Sequence, residues 1–317
     1  MGKSQARPSA ILAKRRSLRH NRDVLPTPSA SPPKPVWAVL DVLRWTTTHF
    51  EKHGVASARL DAELLAAHAF GMSRIELYAH FDRPLDAPEL AAYRDLVTRR
   101  VAGEPVAYLL GRKEFWSLDL LVDARVLIPR PDSETLVEEA LERVTSPGAR
   151  IADVGTGSGA LALALAKERP ESQVFAADIS PDALAVARAN AERLGLTVTF
   201  LQGDLIAPLA AAGPFDLIVA NLPYIPSADI AGLSADVRSE PHLALDGGAD
   251  GLCLIRKLVA EVPELLQAGG CLALEVGAGQ ADTVGELLGA AGFDGVRCRC
   301  DLAGIERVVS GTKGTTL

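Results

Sequence analysis

The chain has 317 residues, 48% hydrophobic and 23% charged, which is enough for two ordinary domains around a substantial core. It has neither an uncharged apolar run of roughly 18 residues nor the charged, apolar and small-residue order of a secretory leader, so a soluble, cytoplasmic protein with no membrane partner is expected. The net charge of −7 is uneven, with residues 1–36 carrying +7 and the remainder −14, and an acidic body argues against a stable nucleic-acid partner, because phosphate contacts need concentrated Lys and Arg.

Residues 1–36 are rich in Arg, Ser and Pro, with Pro26, Pro28, Pro32, Pro33 and Pro35 closing the segment. That composition cannot bury a core and reads as a disordered basic tail. An inert extension, an organellar transit peptide and a weak RNA or ribosome tether all fit it.

Residues 37–111 read as a helical domain. Leu60, Leu64, Leu65, His68 and Ala69, and then Leu90, Tyr93, Leu96 and Val97, recur at helical spacing. Four short helices are expected up to about Gly103, punctuated by Gly54 with Ser57, by Gly71-Met72-Ser73, and by Pro84 through Pro88. Nothing there looks catalytic, which leaves protein docking or packing alone.

Between residues 112 and 131 the period changes to that of strands, in Glu114 to Leu120 and again in Ala124 to Ile128. A β-hairpin linker with its turn near Val122-Asp123 is expected. Two prolines then hold Arg130 on a nearly fixed backbone in Ile128-Pro129-Arg130-Pro131-Asp132, ahead of a helix ending near Val144.

Residues 132–317 alternate strand and helix. Strand candidates are Arg150–Val154, Gln173–Asp178, Thr197–Gln202, Phe215–Ala220, Cys271–Val276, Gly295–Asp301 and Ile305–Ser310, with helices such as Ala160–Arg169 and Pro181–Leu194 between them. The pattern implies an α/β fold with a mostly parallel, Rossmann-like sheet covered on both faces. Cys253, Cys271, Cys298 and Cys300 fall here at irregular spacing without a Cys-x-x-Cys pair, so free thiols are expected and no metal site.

Four strand ends carry the candidate chemistry. Asp153-Val154-Gly155-Thr156-Gly157-Ser158-Gly159 joins the first strand to a helix, and its glycines allow a tight turn and close approach to a ligand. By itself such a loop also serves nicotinamide enzymes, or is only a turn. Asp178 ends the second strand 19 residues after Gly159, where a carboxylate accepts ribose hydroxyls; the alternative is a helix cap by Asp178 or Ser180 before Pro181. Asp204, in Gln202-Gly203-Asp204-Leu205, is placed to accept an adenine amine. Asn221-Leu222-Pro223-Tyr224 follows the apolar run Phe215–Ala220 as a rigid corner with an aromatic face, at the carboxyl edge where open α/β sheets bind ligands.

Together these stretches resemble a class I S-adenosylmethionine-dependent methyltransferase with seven strands, and the Asn-x-Pro-Tyr corner resembles those that methylate a planar nitrogen. Glu104-Pro105-Val106-Ala107-Tyr108-Leu109-Leu110-Gly111, Glu114-Phe115-Trp116, Ile128 to Glu134, Glu240-Pro241 and Gly248-Ala249-Asp250-Gly251-Leu252 are similar to the release factor glutamine methyltransferase family. The resemblance covers about residues 40–311. It implies S-adenosylmethionine held by Gly155, Thr156, Gly157, Ser158, Gly159, Asp178, Asp204, Leu205 and Asn221, with Phe115, Arg130 and Pro131 lining the cofactor side. The catalytic corner would be Asn221, Leu222, Pro223 and Tyr224, and the partners class I peptide-chain release factors, methylated on the glutamine of a Gly-Gly-Gln loop. Where the family usually has Asn-Pro-Pro-Tyr, this chain has Leu222, a form also seen in ribosomal RNA adenine dimethyltransferases. If the second position works through its carbonyl, Leu loses only the fixed φ of proline. The main alternative is a DNA or RNA adenine methyltransferase, which would need a basic path and a base-flipping pocket.

Overall fold

Ser57, Ser73 and Asp86 each stand immediately before a helix in the first part of the chain, and the computed structural model describes residues 36–314. The expected basic tail lies outside the described residues. The expected four helices are present as α1 (Val39–Lys52), α2 (Ala58–Phe70), α3 (Arg74–Ala79) and α4 (Ala87–Val101), and a short α5 (Val106–Leu110) follows. Ser73 opens α3 and Asp86 opens α4, each in a reciprocal box with a Glu three residues on; the Glu76 amide lies 3.2 Å from Ser73 Oγ and the Glu89 amide 2.8 Å from Asp86 Oδ1. Phe50, Leu65 and Leu77 are fully buried between these helices. Glu63, also buried, is matched by Arg59, Arg74 and the Tyr78 hydroxyl, as a buried charge requires.

The hairpin differs from expectation. β1 (Arg112–Phe115) and β2 (Leu118–Leu121) pair antiparallel with Phe115 opposite Leu118, so the turn is Trp116-Ser117 and not Val122-Asp123. Both turn residues have positive φ, 50° and 52°, as a two-residue hairpin turn that matches strand twist demands. Side chains hold this conformation in place of the usual Asn-Gly: Glu134 accepts from the Trp116 amide at 2.8 Å, and Lys167 Nζ donates to the Trp116 carbonyl at 3.2 Å. Residues Ala124 to Ile128 form no strand. Their alternating burial has another cause, because Val122 and Val126 pack on Ala183 and Val186 rather than entering a ladder.

After α6 (Glu134–Arg143) comes a seven-stranded sheet of β3 (Arg150–Val154), β4 (Gln173–Asp178), β5 (Thr199–Gln202), β6 (Phe215–Ala220), β7 (Leu266–Glu275), β8 (Phe293–Cys300) and β9 (Glu306–Lys313), in the order β5-β4-β3-β6-β7-β9-β8. Strands β3 to β7 are parallel, and β9 runs antiparallel between β7 and β8. Alternate residues feed two apolar clusters, Ile151, Leu217 and Val219 on one face and Ala152, Ile218 and Ala220 on the other. This two-sided burial is why the parallel strands are continuously apolar. Helices α7 (Ala160–Glu168), α8 (Pro181–Leu194), α10 (Cys253–Glu261) and α11 (Ala281–Ala290) cover the sheet, while the short α9 (Ala235–Arg238) lies in the long connection after β6. Strand β7 starts five residues earlier than expected, since Leu266 pairs with Phe215 before a register shift.

The sheet and the helical region form one unit from Trp37 onward. Arg100 on α4 bonds Asp61 at 2.8 Å and approaches Asp236 on α9 at 3.7 Å, and Ser239 Oγ donates to the Gly103 carbonyl at 3.2 Å. On α6, buried Glu139 is ringed by Arg143, Arg297 and Ser310, which ties that helix to β8 and β9. Among the described residues no helix is long and apolar enough to cross a membrane.

Candidate active site

Parallel pairing places the first residues after β3, β4 and β6 side by side, because Val154 is in register with both Ala177 and Ala220. The strand order reverses at β3 and β6, the position where an open α/β sheet leaves a crevice beyond its carboxyl edge. A cleft is present there, lined among others by Gly155, Gly157, Asp178, Asp204, Asn221 and Pro223.

The glycine loop is bound to its neighbours through the backbone. The Gly155 and Thr156 amides donate to the Ala177 carbonyl at 2.9 and 3.0 Å. Thr156 Oγ1 donates to Asp153 Oδ2 at 2.6 Å, and the Ala162 amide donates to the same oxygen at 3.2 Å. Burial pushes the Asp153 carboxyl up to about 7. The side chain of Thr156 therefore serves the loop, whereas Gly157 opens freely, since a Cβ placed there would meet nothing within 4 Å. Thr156 and Ser158 do line the cleft. Gly159 does not: a Cβ there would meet Ala187 and Leu163 at 3.2 Å, so its place is close packing of α7 against α8.

Asp178 accepts the Gly157 amide on Oδ2 at 2.8 Å and the Ser180 amide on Oδ1 at 2.9 Å. The helix cap is Ser180, whose Oγ accepts from the Ala183 amide at 3.1 Å; Asp178 is not the cap. Each Asp178 oxygen accepts one amide and so retains capacity for a second donor, and the residue lines the cleft, the capacity that two ribose hydroxyls would use. Asp204 is held by Lys257 Nζ at 2.5 Å on Oδ2, leaving Oδ1 for a ligand. Leu205 follows at φ 46°, an uncommon conformation for a branched residue, which turns its side chain into the apolar cluster beneath the cleft.

In the Asn-x-Pro-Tyr corner, Asn221 Nδ2 donates to Ser133 Oγ at 3.1 Å. Leu222 is buried at 4% exposure, and its Cδ2 lies where a Cβ on Gly155 would come within 2.9 Å. Its side chain thus seals the corner against the glycine loop. The Leu222 amide has no backbone acceptor among the described residues, so proline fits the hydrogen bonding. A Leu222→Pro variant should keep methyl transfer and lose ~1 kcal/mol of stability for the methyl-sized gap left at Gly155. Turnover assays beside urea denaturation check this, and a large loss of turnover would give the Leu222 side chain a chemical role.

Tyr224 stands behind the cleft wall. Its hydroxyl reaches Glu275 Oε1 at 3.4 Å and its carbonyl accepts from Gln280 Nε2 at 2.9 Å. The loop Gly247–Gly251 presses on the corner from behind: a Cβ on Gly247 would come within 2.7 Å of the Pro223 carbonyl oxygen, which explains the glycine without any appeal to φ. Phe115 and Arg130 line the cleft as expected, but Pro129 does so in place of Pro131. Arg130 is fixed by Glu240, which also accepts from the Ile128 amide at 3.0 Å. Ser133 lies within the stretch Ile128 to Glu134 but received no role from the sequence, and Lys257 and Glu275 were not singled out, although Glu275 left a signal as a carboxylate inside the apolar run Cys271–Val276.

Two family models match the chain, the PrmC N-terminal domain at residues 41–111 and a methyltransferase domain at 151–239. The second spans the strands that build the cleft, and the sheet around it is that of a class I methyltransferase, a class that uses S-adenosylmethionine generally. The fold is also similar to the solved hMettl16 catalytic domain in complex with MAT2A 3'UTR hairpin 6, with a TM-score of 0.52 at 13% identity, covering 74% of this chain and 86% of that one. That likeness speaks for the fold alone. The chain is 48% identical over 284 residues to the release factor glutamine methyltransferase of Geobacter sulfurreducens, covering 88% of this chain and 98% of the relative. It is 44% identical over 285 residues to that of Rhodopirellula baltica, covering 86% and 96%. The chain belongs to the release factor glutamine methyltransferase family.

Proposed function

We propose that the protein methylates the side-chain amide nitrogen of the glutamine in the Gly-Gly-Gln loop of class I peptide-chain release factors, with S-adenosylmethionine as donor. The observation that carries the reading is Asn221, a fixed carboxamide at the carboxyl end of β6 beside the glycine loop and Asp178. The residues fit the cofactor: Asp178 has acceptors left for a ribose, Asp204 has one for an adenine amine, and the open side of Gly157 admits a ligand against the backbone. When bound, S-adenosylmethionine supplies a methyl group already activated on a sulfonium.

An amide nitrogen is a poor nucleophile because its lone pair is delocalised into the carbonyl, so the task of the chain is alignment. Asn221 Oδ1 and the Leu222 carbonyl each accept one N–H of the substrate amide. Holding both hydrogens aims the nitrogen and favours its pyramidalisation, an interaction stronger in the transition state than in the ground state. The new N–C bond forms as the S–C bond breaks, and the nitrogen, acidic only once alkylated, then releases a proton to solvent. Pro223 fixes the turn. Tyr224, behind the wall, supports the corner by packing and through Glu275 rather than by stacking on the amide. Residues 37–111 form the docking domain for the release factor, 112–131 the linker, and 132–317 the methyltransferase domain.

Incubation with labelled S-adenosylmethionine tests the substrate. Label should appear on a class I release factor and be absent from its loop Gln→Ala variant and from RNA. Label on RNA would favour adenine methylation, and equal label on both release factors would place the target elsewhere.

A further inference from the structure

Besides its adenine and ribose, S-adenosylmethionine carries an amino-acid end with a free carboxylate, which Asp178 and Asp204 cannot receive because like charges repel. Glycine loops at the start of a helix commonly meet an anion with their backbone amides. Here four of those amides are spent: Gly155 and Thr156 donate to the Ala177 carbonyl, Gly157 to Asp178, and Gly159 to the Thr156 carbonyl. A side chain is left to meet the carboxylate. Among the described residues two cations line the cleft, Arg125 and Arg130. Arg125 is committed to Asp123, which accepts its Nε at 2.8 Å and its Nη2 at 2.6 Å. Arg130 is held only at Nη2, by Glu240 Oε1, so its Nε and Nη1 have no protein partner among the described residues, and the side chain is 34% exposed. Glu240 is a fixed post, buried and accepting the Ile128 amide at 3.0 Å on its other oxygen.

Arg130 also stands at the right end of the cleft. The Ser133 amide donates to its carbonyl at 3.1 Å, and Ser133 Oγ accepts from Asn221 Nδ2 at 3.1 Å. Asp178 and Asp204 follow β4 and β5, two and three strands from β6 in the sheet. The methyl group has to arrive at Asn221, so the amino-acid end carried by the same sulfur falls on the Arg130 side. We propose that Arg130 determines specificity for the amino-acid end of the donor, its unengaged guanidinium nitrogens receiving the carboxylate while Glu240 fixes the opposite edge. This rests on the reading of the cleft as a site for S-adenosylmethionine. A planar guanidinium with five donors can serve two carboxylates on two edges, which a lysine ammonium on a flexible stem does less well. Glu240 is then a positioning residue: it sets where Arg130 points and touches no ligand itself.

Calorimetric binding of S-adenosylmethionine and of its decarboxylated analogue tests the assignment without any turnover. Wild type should bind the analogue roughly 10- to 100-fold more weakly, the worth of a hydrogen bond between charged groups. Removing Arg130 alone would strand the buried Glu240 charge, so the variant is Arg130→Met combined with Glu240→Gln. It should bind S-adenosylmethionine as weakly as wild type binds the analogue, and the preference between the two ligands should shrink to less than about threefold. The preference is the quantity read, because the acidic surroundings act on both proteins alike. Arg130→Lys, which keeps a cation beside Glu240, serves if the double variant does not fold, and it too should lose most of the preference. A variant that binds the donor with the wild-type preference, or a wild type that binds both ligands equally, overturns the role of Arg130 and leaves the donor site standing. A wild type that binds neither ligand overturns both.

Discussion

Asn221→Ala is expected to lower single-turnover methyl transfer by about 10²- to 10³-fold, the range for removing one preorganised partner of a reacting group, while S-adenosylmethionine affinity changes little. The argument is geometric. Asn221 lines the cleft, whereas the proposed acceptors for the cofactor are Asp178 and Asp204, which have oxygens left to accept. Truncation to Ala removes the acceptor for one substrate hydrogen and leaves the Leu222 carbonyl alone to orient the nitrogen, which then rotates out of line. Equilibrium binding of the cofactor measured beside the methylation rate checks the separation. Unchanged transfer would refute the clamp, and parallel loss of cofactor binding would show that Asn221 acts mainly on the donor.

Glu139→Gln should destabilise the fold by about 3–5 kcal/mol, the range for breaking a buried ion pair from one side. Glu139 is 1% exposed, and its oxygens meet Arg143 Nε at 2.8 Å and the Arg297 guanidinium twice at 2.8 Å, with the Ser310 hydroxyl alongside. A Gln amide would turn a donor toward these cations. The arginines and Ser310 together hold the Glu139 carboxyl down to about 2 despite its burial, from an ordinary 4.5. A carboxyl lowered on folding stabilises the folded chain above its unfolded value, and that contribution drains away as pH falls from about 4.5 toward 2. Urea denaturation across that window should show a steep loss for wild type and a shallower one for Glu139→Gln. Equal slopes would mean that other carboxylates carry the acid sensitivity.

The strands of the sheet could be read from sequence because burial on both faces leaves an unbroken apolar run, and the glycine loop because Gly155, Gly157 and Gly159 all take positive φ. Asp178 and Asn221 were legible for a related reason: polar residues directly after such runs mark the carboxyl edge. What sequence hid was long-range. The hairpin turn at Trp116-Ser117 lacks glycine, and only Glu134 and Lys167, distant in the chain, explain how it holds positive φ. Val126 and Ile128 alternate like a strand, yet Val126 docks on α8. Lys257 at Asp204 and Ser133 at Asn221 are pairings across 53 and 88 residues, which no local period encodes. Glu275 is the instructive case, since a carboxylate in a doubly covered strand is costly unless it has work there.

The connection after β6 meets both the helical region and the rim of the cleft. Asp236 and Ser239 face Arg100 and Gly103 on one side, and one residue later Glu240 fixes Ile128 and Arg130 on the other. The two halves of the chain are therefore poorly interchangeable. A chimera carrying the helical region of another methyltransferase would have to bring its own cation opposite Asp236 and its own free carbonyl at position 103, or the cleft of this one would inherit a misplaced rim.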